Sequence, residues 1–189
     1  ESLGRVHIDQ ENWQLAIARF NEAIQIADEI GKTQDQNEAR QGLALAHLYS
    51  DDLSSALQAV KDAAQYDLPQ NNHNVLALLG AIALRQADRP AALEAFAAAV
   101  QHTEHMLAHS AQNYEALDAK GLAWSGLALC EGPQHVAAAI AAAIAAFRAA
   151  RALNQDAGIV KGVLRLFDEL AKADKKGVLK EVRAAAAGE

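Results

Sequence analysis

Three windows of the chain carry one spaced signature: Leu3-Gly4, Ala16, Phe20, Ala23; then Leu43-Ala44, Ala56, Val60, Ala63; then Leu79-Gly80, Ala92, Phe96, Ala99. In each, the small residue after Leu is followed by Ala twelve positions on, a large apolar residue four later and Ala three after that. A fixed spacing repeated in this way points to a repeat array, and such arrays bind partners far more often than they catalyse. The physical reading is a pair of antiparallel helices, A and B. The small residue sits where A crosses B, since a larger side chain there would force the axes apart. The large apolar residue of helix B fills the space between repeats, and the following Ala lets the next helix A approach.

The pattern resembles the tetratricopeptide repeat, with the window from Leu76 to Ala99 as the best match. A fourth copy is stretched, with Leu122 and Gly126 standing for helix A and Ala143, Phe147 and Ala150 for helix B. Its Gly-to-Ala step is seventeen residues instead of twelve, and the extra length is expected in a lengthened turn at Glu131-Gly132-Pro133-Gln134-His135. The resemblance implies an all-α fold, an α-solenoid in which antiparallel helix pairs wind into a right-handed superhelix. Phe20, Val60, Phe96 and Phe147 are 40, 36 and 51 residues apart, longer than the roughly 34 of the standard repeat. The segment from Ala23 to Gly31, the run from Tyr114 to Ala123 and the ending from Val182 to Gly188 look like the longer repeats of signal-transduction ATPases with numerous domains and of bacterial ligand-responsive regulators.

Abundant Ala and only three Pro agree with an all-helical chain. A single domain spanning 1–189 is expected, with repeats at about 1–33, 34–70, 71–112 and 113–154 and a degraded capping pair at 155–189. Helix pairs are predicted near 1–10 with 13–30, 35–50 with 53–67, 72–87 with 90–110, 113–130 with 134–153, and 157–172 with 175–187. Asp52 is placed as an N-cap, Gly31 as a C-cap and Pro90 in a first helical turn. A start at Glu1, midway through a helix A, suggests a fragment of a longer protein.

Several function classes recede on the same grounds. The most apolar run, Ala137 to Leu153, is interrupted by Arg148 and Arg151 and reads as a core helix, not a membrane span. The single cysteine, Cys130, excludes an intramolecular disulfide, reads as a buried inert thiol and fits a reducing, cytoplasmic setting. Formal net charge is −7, and residues 1–70 carry five Lys/Arg against twelve Asp/Glu. No basic stripe exists to displace phosphate counterions, which argues against nucleic acid as a partner. Lys172, Lys175, Lys176, Lys180 and Arg183 are interleaved with Asp168, Glu169, Asp174 and Glu181, as on a solvated capping face. No phosphate-binding Gly loop, His-Glu-x-x-His or credible catalytic triad is present, so neither a catalytic residue nor a cofactor is assigned and an enzyme is not expected within this chain. His102, His105 and His109 share one helix face, and the last two have a chelating spacing. Two ligands on an exposed helix rarely make a physiological site, so no metal centre is assigned.

Function is therefore expected on a concave surface lined by helix A residues. Counting from the repeat register, these are Arg5; Glu38, Gln41, Leu45 and Tyr49; Asn74, Ala77, Ala81 and Arg85; and Lys120, Ala123, Trp124 and Leu127. Arg85 and Lys120 suit a carboxylate, Gln41 and Asn74 an extended backbone, and Tyr49 or Trp124 an aromatic anchor. The Lys and Asn placement of chaperone-tail carboxylate clamps is missing, so a hydrophobic or helical peptide is the expected partner. It would serve a protein-interaction scaffold or sensor arm in signalling, with the rest of its own chain as another candidate partner. The alternatives are a receptor for a small molecule or signalling peptide, and a self-assembly module.

Overall fold

A computed structural model describes residues 3–189 of the chain. Among these the protein is all-α, with ten helices and no strand. It divides into two compact units, the first ending at Leu68 and the second beginning at Pro69.

The first unit holds α1 (Leu3–Asp9), α2 (Trp13–Ile30), α3 (Thr33–Tyr49) and α4 (Leu53–Ala64), each packed on the next in sequence. Local chemistry sets the boundaries. Gly31 closes α2 in the left-handed conformation at φ 73°, and the Asp52 carboxylate accepts the Ser55 N–H at the start of α4. Asn37, fully buried on α3, donates to the Ala63 carbonyl of α4 at 2.8 Å. Arg40 reaches back to both carboxylate oxygens of Asp28 and lies over the Tyr66 ring.

The second unit holds α5 (Asn72–Arg85), α6 (Arg89–His109), α7 (Tyr114–Cys130), α8 (Pro133–Leu153), α9 (Ala157–Ala171) and α10 (Lys180–Ala187). The order of packing is sequential from α5 to α8 and then changes. Helix α9 lies on α5 and α7, while α10 packs on α8 and α9. As a result α7 is buried nearly all round, from Ala116 to Cys130.

The spaced signature marks close approaches of glycine to phenylalanine. A Cβ added at Gly4 or Gly42 would enter the ring of Phe20, one added at Gly80 or Gly126 the ring of Phe96, and one at Gly121 the ring of Phe147. Phe20 and Phe96 are each held between two helices this way, α1 and α3 for the first, α5 and α7 for the second. Phe147 has Gly121 on one side and Phe167 of α9 edge-on, with centroids 6.1 Å apart.

This geometry corrects the fourth window. Gly126 serves Phe96 of the preceding window, and Gly121 is the residue that meets Phe147. The extra residues are not in a turn either, since only Glu131 and Gly132 separate α7 from α8. Helix α8 opens at Pro133, fourteen residues before Phe147, whereas α2 and α6 open at Trp13 and Arg89, each seven before its phenylalanine. Added length in helix keeps the backbone hydrogen-bonded, which a long turn does not. The last helix begins at Lys180 instead of near 175. The Asp174 carboxylate accepts the N–H groups of Lys176, Val178 and Leu179 and holds that segment as a turn.

Helix α8 is the one described helix long and apolar enough to cross a membrane, from Gln134 to Leu153. Its Ala139, Ala143, Phe147 and Ala150 are buried in the core of the second unit. Arg151, read in the sequence as an interruption, is itself buried and pairs with Asp118 of α7. Cys130 is buried as expected, and loss of solvent pushes its thiol up to about 11, against the opposing influence of Arg89.

Candidate functional site

In the first unit, steps of three and four along α3 bring Glu38, Gln41, Leu45 and Tyr49 to one face. Glu38 is exposed and accepts from Gln34 at 2.8 Å. Gln41 donates to the buried Asn37, so its amide is committed to holding α3 against α4. Leu45 and Tyr49 are half-buried against the cluster of Ile8, Ala16, Phe20 and Ala46, and the Tyr49 ring lies 5.8 Å from that of Trp13. Arg5 is exposed on α1.

In the second unit several of the expected helix A residues share a core or an ion pair with α9. Asn74, one turn into α5, donates to the Asn71 side chain at 3.1 Å. Four-residue steps then place Ala77, Ala81 and Arg85 along one side of α5. Ala77, Ala81, Ala123 and Leu127 are buried in the same core as Phe167 and Leu170 of α9, and Trp124, Val163, Leu164 and Leu166 pack against that core. The Trp124 indole Nε1 is buried with no hydrogen-bond partner among the described residues.

Arg85 pairs with Glu169, whose carboxylate also accepts two bonds from Lys172, at 2.8 and 2.9 Å. Glu169 is 5% exposed, so the solvated reading of this segment fails at that residue. The sequence carried no such signal: Val160, Val163, Leu164, Phe167 and Leu170 follow the helical period, but Glu169 lies off that stripe, and its burial beside Arg85 depends on how α9 packs on α5. Lys120 is directed elsewhere and pairs with Glu104 of α6 at 3.1 Å, so it does not join Arg85.

A second feature lies at the end of α6. Pro69, Gln70, Gln101, His102, His105, Met106, His109, Ser110 and Asn113 line an open cleft of about 620 Å³. The His105 and His109 rings are 4.8 Å apart between centroids and tilted by 46°. His109 Nδ1–H donates to the His105 carbonyl at 2.8 Å. On α5, His73 is 1% exposed and neither ring nitrogen has a hydrogen-bond partner among the described residues. Burial, aided by His102, pulls its pKa down to about 4. Among the described residues no three His, Cys, Asp or Glu side chains converge as a metal-binding group. The cleft escaped the sequence reading because Pro69 and Gln70 reach α6 only through the fold.

Compared with protein-family models and with curated proteins, the chain matches none.

Proposed function

We propose that this chain is a solenoid of tetratricopeptide-like helix pairs that binds an amphipathic helix of a protein partner, as a scaffold or sensor arm of a larger signalling protein. The observation that carries this reading is α9. The face formed by α5 and α7 takes an amphipathic helix of the chain itself, with Ala and Leu beneath it and Arg85 holding a carboxylate. Small floor residues allow close approach of a helix, and a buried Arg–carboxylate pair fixes its register. A partner helix with the pattern of α9, apolar at steps of three and four and acidic at the Glu169 position, fits the same face once α9 leaves.

The test is fluorescence anisotropy of a labelled peptide covering residues 155–173, titrated with the full chain. Glu169→Ala loosens the resident helix, and the peptide is expected to bind this variant about tenfold or more tightly than the wild type. Adding Arg85→Glu is expected to abolish the gain. Asp156→Ala provides a second route, because Asp156 caps α9 through the Gly158 and Ile159 N–H groups, away from the buried pair. Absence of saturable binding to both folded single variants overturns the reading.

The open cleft favours a second reading, reception of a small molecule. A saturable thermal shift with a small ligand, kept in Arg85→Glu and lost in His105→Ala, would place binding there instead.

A further inference from the structure

We infer that His105 and His109 form an exchangeable site for one divalent first-row transition ion, Cu²⁺ most tightly, on the wall of the cleft beside Ser110 and Asn113.

Three observations converge. The first is separation. An imidazole nitrogen binds such an ion at about 2.0–2.1 Å, which puts the ion about 3.2 Å from the ring centroid and, at bite angles of about 90° to 109°, two centroids about 4.5–5.2 Å apart. The His105 and His109 centroids are 4.8 Å apart with no ion bound. The second is tautomer. A carbonyl oxygen can only accept, so the bond from His109 to the His105 carbonyl places a proton on His109 Nδ1. In the neutral ring the lone pair is then on Nε2, the arrangement by which protein carbonyls orient metal-binding histidines. The third is access. Both residues are exposed and both line the cleft, so an ion held between them keeps positions open to water or to a ligand entering the cleft. Binding displaces water from the ion and, from any ring that is protonated, the proton on the coordinating nitrogen.

With two protein donors the ion exchanges instead of being locked in, unlike a four-ligand structural site. The preference for Cu²⁺ follows from the general order of stability of divalent ions with nitrogen ligands. This inference does not depend on the helix-binding reading, since Arg85 and Glu169 take no part in it.

The experiment is calorimetric titration of the full chain with CuCl₂ in a weakly coordinating buffer at pH 7.5, alongside electron paramagnetic resonance at one equivalent. Wild type is expected to show one site with nitrogen coupling in the spectrum. His105→Ala and His109→Ala are each expected to weaken it by about tenfold or more. His135→Ala, an exposed histidine on α8, is expected to match the wild type. All three substitutions are at exposed positions, so circular dichroism should be unchanged. Equal binding by wild type, His105→Ala and His109→Ala, or equal losses in all three variants, would mean adventitious binding only and overturn the inference.

Discussion

At the scale of single residues, glycine carries much of the information in this chain, and the structure separates its roles. Gly42 and Gly126 lie against the faces of Phe20 and Phe96, where a methyl group overlaps the ring. Gly162, inside α9, has nothing within 4 Å of where its Cβ would be. Gly42→Ala and Gly126→Ala are therefore expected to destabilise by about 1–3 kcal/mol each through overpacking, and Gly162→Ala to stabilise by up to about 1 kcal/mol through helix propensity. Urea denaturation of the three variants checks both signs together. His73 sets a pH dependence of its own. Its pKa is about 4 in the fold against 6.5 in an open chain, so between these values the unfolded state binds the extra proton. Its contribution is present above about pH 6.5 and lost as pH falls towards 4, a span of up to about 3 kcal/mol. Asp118 works the other way, because burial raises its carboxyl to about 6 despite Arg151, and the proton it keeps favours the fold only at acid pH. Replacing His73 with Leu leaves Asp118 in place. The variant is expected to lose less melting temperature than the wild type between pH 7 and pH 4.5, and parallel losses would show that His73 is not the titrating group.

At the scale of elements, α9 is the helix whose sequence and packing disagree. Its apolar stripe is well formed, yet its first turns contain Gly158 and Gly162, which lower helix stability by about 1 kcal/mol each relative to Ala. The Asp156 cap, accepting the Gly158 and Ile159 N–H groups at 2.9 and 3.2 Å, offsets part of that cost. The helix is thus anchored at its C-terminal half by Phe167, Glu169 and Leu170 and weak at its start. Strengthening it by Gly162→Ala is expected to reduce binding of the 155–173 peptide in trans, and Asp156→Ala to increase it. If both variants change peptide affinity in the same direction, the peptide and α9 do not compete for one face.

At the scale of the whole molecule, charge is distributed unevenly between the units. The seventeen Lys/Arg and twenty-four Asp/Glu give −7. Residues 1–70 alone hold five of the former and twelve of the latter, which leaves the remainder neutral. Binding of a polyanion is not expected, since several of the cations are already committed, Arg151 to Asp118, Lys120 to Glu104 and Arg183 to Asp168. A random-sequence duplex is expected to show no mobility shift at about 0.15 M salt. A shift that weakens steeply with added salt would contradict this.

The sequence by itself determined that the chain is helical, where most helices begin and end, and that small residues and phenylalanines recur at their crossings. These follow from local physics, namely propensity, caps such as Asp52 and Gly31, and the helical period. The sequence places Gly4 and Gly80 at helix crossings, with Phe20 and Phe96 in the space between repeats; that these rings lie directly against the glycines, and that Gly121 rather than Gly126 meets Phe147, is decided by the fold. Only the tertiary structure decided that α9 turns onto α5 and α7, which burial makes Arg85 and Glu169 a pair, and that Pro69 and Gln70 close a cleft over the α6 histidines. Each of these depends on contacts between segments far apart in sequence, where no local preference specifies the outcome and the favourable burial of an apolar stripe does.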